Sequence, residues 1–172
     1  FGFGTVGRGL YDVLEETRLK EARIKRVCVR NMSKERGVKA DFTDNPDEIF
    51  NDPEINLVVE LIDNAEASYH IVKRALEAGI PVVTGNKKML AHHLEELIEI
   101  QREKQVPLLY DASACGSIPV IRNLEEYYDN DLLVSVKGIL NGSSNFILSK
   151  IFNENMSYPA ALKLAQDLGF AE

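Results

Sequence analysis

Three glycines near the amino end carry the first chemistry the chain offers. Gly2-Phe3-Gly4-Thr5-Val6-Gly7 is a G-x-G-x-x-G run that opens a helical pattern. In such a run the first glycine permits a tight turn. The second lets backbone approach a pyrophosphate, and the third lets helix and strand pack closely. The helix start also offers unpaired N–H groups and the positive end of its dipole to phosphates. A glycine turn opening an ordinary α/β domain is the competing reading. The βαβ pattern that follows favours dinucleotide binding.

Four further places could hold a ligand. Val29-Arg30-Asn31 ends the second strand pattern with no acid to accept from a ribose 2′-hydroxyl. Arg30 could instead hold a 2′-phosphate, with Lys34 and Arg36 adding to it, which favours NADP over NAD. A plain surface arginine is the alternative. Thr84-Gly85-Asn86-Lys87-Lys88 follows a buried strand, at the edge of a parallel sheet where ligands bind. Lys87 there can hold a carboxylate or take part in proton transfer, or be a solvated helix start. The small residues of 111–119 read as a loop whose carbonyls could converge on a cation, or as a tight interdomain crossover. Gly138-Ile139-Leu140-Asn141-Gly142-Ser143-Ser144-Asn145 offers glycines and hydroxyls at a helix start, or a turn with a Ser cap.

Other residues of chemical interest read as ordinary. His70, His92 and His93 fall on helical patterns and read as surface residues. Tyr127-Tyr128 reads as a packing feature. Cys28 and Cys115 lie far apart with no paired spacing, so neither a zinc site nor a disulfide scaffold is indicated, and a reducing cytoplasm fits. Cys28 sits in an apolar run and reads as core.

The elements that would position these groups alternate. Helical spacing covers 6–19, and 24–29 reads as a strand. The stretch 31–39 is a polar loop, 42–43 a short strand edge, and a helix starts at 45–48 with Pro46 just inside its cap. The nearly continuous apolar run 56–62 reads as a strand buried on both faces. Then come a helix at 66–78 closed by Gly79, a strand at 80–84, a helix at 90–104 and a strand at 106–110. Strand and helix alternating with short connections means a parallel sheet covered by helices. After Asp111 the rhythm changes: a helix at 118–127, a strand at 132–139, and helices at 143–152 and 157–168. The expected domains are 1–115 and 116–172.

The chain has 172 residues, 45% of them hydrophobic and 27% charged, the balance of a globular protein. No apolar run approaches the roughly 18 residues of a membrane span. A net charge of −7 argues against bulk attraction to nucleic acid or an anionic membrane. The basic stretch 18–30 reads mostly as a solvated helix end and turn. The chain opens on Phe1 at the glycine motif, without the strand that should precede it, and stops at Glu172 without a cap. The expectation is a fragment cut at both ends.

Five segments, in order, resemble homoserine dehydrogenase. Gly2-Phe3-Gly4-Thr5-Val6-Gly7 is similar to its cofactor loop, and Val82-Val83-Thr84-Gly85-Asn86-Lys87 to its V-V-T-A-N-K. Residues 110–119 resemble Y-E-A-S-V-x-x-G-I-P. Residues 138–148 resemble G-I-L-N-G-T-T-N-Y-I-L, and residues 165–172 resemble A-Q-x-L-G-Y-A-E. The chain departs from the pattern at Asp63-Asn64, Gly85, Asp111 and Gly116-Ser117. The resemblance implies a Rossmann-type doubly wound parallel sheet in an α/β fold, then the truncated start of an α+β substrate and dimerisation domain. It also implies reversible NAD(P)-dependent oxidation of L-homoserine to L-aspartate 4-semialdehyde, serving threonine, methionine and isoleucine synthesis.

By position, Gly2, Phe3, Gly4, Thr5, Val6, Gly7, Arg30, Lys87 and Gly169 would bind the cofactor. Lys87 and Glu172 would contact substrate. Asp111, Ala114, Gly116 and Ile118 would supply oxygens for a monovalent cation, sodium above all. The parent enzyme would be a cytoplasmic homodimer or homotetramer, with no nucleic-acid or membrane partner. The family's substrate-binding Asp and proton-donor Lys have no counterpart within these residues, so the segment alone is expected to be inactive. Two other readings stay open. One is a semialdehyde dehydrogenase using Cys115 as nucleophile; the other is a non-catalytic nucleotide-binding module.

Overall fold

The computed structural model describes residues 1–17, 21–116 and 118–171. The expected end of the first helix, at 18–19, and Arg18 and Lys20 of the basic stretch lie outside the described residues, as do Ser117 and Glu172. The chain divides into two compact units, Phe1–Ser113 and Ala114–Glu172.

The first unit runs α1 (Thr5–Glu16), β1 (Val27–Cys28), β2 (Phe42–Thr43), α2 (Asp47–Phe50), β3 (Val58–Glu60), α3 (Ala65–Glu77), β4 (Val82–Thr84), α4 (Lys87–Lys104) and β5 (Leu108–Leu109). β1 pairs with β2, and β3, β4 and β5 pair in that order, every pair parallel. Phe1 and Gly2 join the two groups. The Phe1 amine donates to the Val59 carbonyl at 2.6 Å, and Leu61 N donates to Phe1 O at 2.9 Å. On the other side Gly2 N donates to Cys28 O at 3.0 Å. Bonding of one residue to two neighbours that flank a third is the parallel ladder pattern. The sheet therefore reads β2-β1-(Phe1–Gly2)-β3-β4-β5, and chain order reverses on either side of the glycine loop.

Helix α3 shows why this sequence folds so. Asn64 caps it, accepting from Ala67 N at 2.8 Å. Ser68, Val72, Ala75 and Leu76 are buried at helical spacing on one face. Gly79, at φ 75°, ends it in the left-handed conformation that a side chain resists. Val72, Leu76, Val82, Met89 and Leu97 are fully buried and form one core with Val58 and Leu108. Each large aliphatic side chain so placed contributes about 1.5–3 kcal/mol. At the surface Lys73 donates to Glu96 at 2.7 Å, and the Tyr69 hydroxyl donates to the same carboxylate. Lys73, then Tyr69, hold the Glu96 carboxyl below the usual carboxylate range. This tie between α3 and α4 is complete above the ordinary carboxylate pKa and is lost as pH falls through the lowered one.

The second unit holds α6 (Val120–Tyr127), α7 (Gly142–Glu154) and α8 (Tyr158–Asp167), and α5 (Asp111–Cys115) crosses the division between units. Ile147, Ala161 and Ala165 form a small buried cluster between α7 and α8. Asn155, at φ 53°, turns the chain from one helix into the other.

Four expectations are corrected. The small residues after Tyr110 are not a loop but begin with the five-residue helix α5. Helix α4 starts at Lys87 rather than Leu90, because the Asn86 side chain caps it, accepting from Met89 N at 2.9 Å. The strand expected at 132–139 is absent: no partner strand is present in the second unit's described residues, and an unpaired strand has nowhere to bond. Its apolar residues are exposed, Val134 to 94%. Tyr127 and Tyr128 are likewise exposed, since α6 buries no residue.

Candidate functional site

The three loop glycines differ in what surrounds them. Gly2 sits at φ 87°, and a Cβ built on it would lie 2.7 Å from Leu61 O. At Gly7 a Cβ would lie 2.6 Å from Gly2 O, so helix α1 and the loop touch through bare backbone. Gly4 is the N-cap of α1 and would meet nothing within 4 Å. No side chain caps α1 and no acid occupies its first turn. Thr5 and Val6 are exposed beside it. Gly4 therefore presents open backbone at a positive helix end, which fits a pyrophosphate. Phe3 is packed edge-on against Tyr11 and Phe42, at 5.9 and 5.3 Å between ring centres, which fixes the loop to β2.

Arg30 stands at the rim just past β1. Its side chain is 84% exposed, and its ion pair with Asp63, at 4.0 Å, is long and solvated. Lys34 is exposed nearby in sequence. Arg36 is committed elsewhere. Its terminal nitrogens donate to the Asn31 and Lys34 carbonyls, and its guanidinium lies 4.9 Å from the Phe42 ring centre. Arg36 shapes the 31–36 loop, and Arg8 of α1 ties that loop down by donating to Arg36 O at 2.9 Å. Nothing in the spacing of Arg30, Lys34 and Arg36 marks this division of labour among the three cations.

Lys87 is exposed on the first turn of α4, at the carboxyl edge of β4. Lys88 follows, and no acid stands in that turn. Two cations at the positive end of a helix are unfavourable by about 0.3–1 kcal/mol each. An anionic ligand would offset that. Beneath them lies a group the sequence reading passed over. Glu60, Ser68 and Thr84 are fully buried and Asn86 nearly so. The signal available was one acid inside an otherwise apolar strand.

A cavity of about 810 Å³ follows the facing edges of β1 and β3, lined by Leu10, Leu14, Val27, Val58 and Val59 among others. Its lining draws on residues 21–27 and 54–59, on the amino side of the strand ends. Ligands of such sheets bind beyond the carboxyl ends. Its aliphatic walls suit packing rather than a nucleotide.

Cys28 is buried, and desolvation pushes its thiol up, as for a core residue. His70 pairs with Glu66 at 3.1 Å on an exposed face, and His93 stacks on Tyr69. Among the described residues no three His, Cys, Asp or Glu side chains gather as metal ligands. Asp111 opens α5 in the first unit. Ala114, Gly116 and Ile118 follow in the second, with Gly116 at φ 57°. Gly169 ends α8 at φ 75°, and Glu172 lies outside the described residues. At the start of α7 the cap is Asn141, accepting from Ser144 N at 2.8 Å, rather than a serine. The Ser143 hydroxyl instead donates to Phe170 O. Cys115 Sγ faces the Leu140 carbonyl at 4.0 Å, and the second unit contains no histidine to act as its base.

A parallel sheet whose order reverses at an open glycine loop, with a lysine at the adjoining carboxyl edge, defines a dinucleotide-binding domain of the dehydrogenase type. Comparison with known proteins narrows this class. Residues 2–111 match the family model for the homoserine dehydrogenase NAD binding domain, and residues 119–172 match that for homoserine dehydrogenase. The chain belongs to the homoserine dehydrogenase family. It is 39% identical to the homoserine dehydrogenase of Helicobacter pylori, over 99% of this chain and 42% of that protein. It is similar in structure to a homoserine dehydrogenase from Thiobacillus denitrificans, with TM-score 0.84 and 36% identity over 99% of this chain and 42% of that one. A hyperthermophilic archaeal homoserine dehydrogenase in complex with NADPH matches with TM-score 0.58 and 30% identity, over 74% of this chain and 40% of that one. The chain thus spans about 42% of the length of the curated relative it matches.

Proposed function

We propose that the full-length protein oxidises L-homoserine reversibly to L-aspartate 4-semialdehyde with NAD(P), the step from which threonine, methionine and isoleucine are made. The observation that carries this reading is the open backbone of Gly4 at the reversal point of the sheet, in a chain of this family. The nicotinamide, when bound, accepts a hydride from the alcohol carbon. The residues of this chain do the holding. The Gly2–Gly7 loop and the first turn of α1 receive the pyrophosphate, with Phe3, Thr5 and Val6 beside it. Lys87 carries a positive charge to the carboxyl edge of β4, where it contacts the cofactor and the carboxylate of the substrate. Gly169 and Glu172 belong to the same proposed site by position in the family pattern. Full-length protein with homoserine and NADP at alkaline pH should give a rise in NADPH absorbance. No rise with either nicotinamide cofactor would reject the activity.

NADP is favoured over NAD because β1 is followed by an exposed cation, Arg30, not an acid. Arg30→Ala should weaken NADPH by about 1.5 kcal/mol, a charged hydrogen bond at an exposed site, while NADH binding stays within twofold. Fluorescence titration of both cofactors decides it. Equal weakening would remove Arg30 as the discriminator.

A monovalent cation, sodium, held by oxygens of Asp111, Ala114, Gly116 and Ile118 fits the donors. These positions come from the family pattern, and neutral carbonyl oxygens suit a hard, singly charged ion. A homodimer or homotetramer accords with the apolar side chains that the second unit exposes, among them Leu132, Val134, Ile139 and Phe152. The semialdehyde dehydrogenase reading has no histidine to serve Cys115 within its unit.

A further inference from the structure

We propose that Glu60 is a positioning residue for Lys87, through a chain of buried hydrogen bonds that sets the turn on which the lysine stands. The inference rests on the proposed role of Lys87.

Glu60 is 0% exposed, at the carboxyl end of β3. One carboxylate oxygen accepts from Ile62 N at 2.7 Å. The other accepts from the Thr84 hydroxyl at 2.6 Å and from the Ser68 hydroxyl. The Thr84 oxygen also accepts from Asn86 N at 3.2 Å, so its one proton is left for Glu60. Asn86 then closes the arrangement. Its amide nitrogen donates to Ile62 O at 3.0 Å, and its amide oxygen caps α4 at Met89 N. Gly85 N donates to Glu60 O at 3.2 Å. Residues 60–62 and 84–86, the two turns that leave β3 and β4, are therefore one bonded unit. Lys87 is the next residue.

Stability alone does not account for an acid here. The strand neighbours Val58, Val82 and Leu108 are buried aliphatics. A carboxylate taken from water is costly unless every lone pair finds a donor, and an apolar residue of similar volume often serves a core as well or better. What the carboxylate supplies is direction. It requires a hydroxyl at position 84, which fixes Asn86 and so the first turn of α4.

The test uses the full-length protein. Glu60→Gln keeps the shape but turns one acceptor into a donor facing donors. Thr84→Val removes the hydroxyl at constant shape, and Thr84→Ser keeps it. A misplacement near 1 Å can cost about 10²-fold in rate. Glu60→Gln and Thr84→Val should each lower kcat for homoserine roughly 10- to 100-fold. The double variant should be no worse than the poorer single one, as for residues of one network. KM for NADP should rise far less than kcat falls, because Lys87 is one cofactor contact among several and the glycine loop is held by its own bonds to Cys28 and Leu61. Thr84→Ser should recover most of kcat. A second readout needs no activity. After reductive ¹³C-methylation, the Lys87 signal, identified by its absence in Lys87→Arg, should shift in Glu60→Gln and Thr84→Val and stay in place in Thr84→Ser.

An unmoved Lys87 signal overturns the proposal. So does a Thr84→Ser variant as poor as Thr84→Val, or a parallel loss of kcat, NADPH affinity and thermal stability. If the unaltered protein fails to oxidise homoserine, the proposed function fails, and the Lys87 signal alone decides the role of Glu60.

Discussion

Lys87→Ala in the full-length protein should lower kcat for homoserine by about 10² to 10⁴-fold, the range of a positioned acid–base or charge-bearing group. It should also leave the protein as stable as before, or slightly more so. The side chain is exposed and buries nothing. It is a cation at the positive end of α4, with Lys88 beside it and no acid in the turn. Removing one such charge should stabilise the helix by about 0.3–1 kcal/mol. Alanine is also the best helix former. Activity and stability are thus expected to move in opposite directions, which a lysine of merely structural value would not show. Steady-state kinetics and urea unfolding on the same preparation measure both. Near-normal homoserine oxidation would make Lys87 an ordinary solvated helix start. A large loss of stability would mean that the side chain packs in the whole protein in a way this chain does not reveal.

The parallel sheet was legible because its signals are local and repeated. Leu57 to Ile62 is almost wholly apolar, as a strand between two neighbours must be, and Gly79 stops α3 where only a left-handed turn fits. The glycine turn was legible because its spacing admits few backbone geometries: at Gly2 and Gly7 a Cβ would meet backbone. What escaped the sequence depends on partners far along the chain. Asn86 looks like any polar loop residue until its side chain is seen capping α4 and bonding to Ile62 O. Glu60 is one acid in an apolar run, and only Thr84, 24 residues away, gives it a task. Arg36 resembles Arg30 in sequence, yet its bonds to Asn31 and Lys34 carbonyls make it a brace. The strand expected at 132–139 failed for the converse reason. Alternating apolar residues give a strand its face but not its neighbour, and no strand pairs with it among the described residues.

The largest effect on the fold is expected at Gly2, and contrasting it with Gly4 separates folding from binding. At Gly2 an alanine would have to hold φ 87°, outside the regions open to L-residues at low energy, which costs about 1–2 kcal/mol. Its Cβ would also lie 2.7 Å from Leu61 O and 2.9 Å from Leu61 C. Those are backbone atoms of the turn that leaves β3 and cannot swing aside. Overpacking of this kind adds about 1–3 kcal/mol. The sum, about 2–5 kcal/mol, is a large part of the 5–15 kcal/mol that holds an ordinary domain folded. Gly2→Ala should therefore lower the urea midpoint sharply and lose cofactor binding with it. Gly4→Ala should behave differently. Its Cβ meets nothing within 4 Å, and its φ of −85° is open to any residue. The midpoint should fall by no more than the loss of a tolerated N-cap, less than about 1 kcal/mol. Yet the added methyl stands where the pyrophosphate is proposed to approach, so NADPH affinity should drop at least tenfold. Urea unfolding and NADPH fluorescence titration on both variants give the two comparisons. Gly2→Ala as stable as the parent would show that the loop relaxes in a way its neighbours do not suggest. Gly4→Ala binding NADPH with undiminished affinity would move the pyrophosphate away from this helix end, and the proposed cofactor site with it.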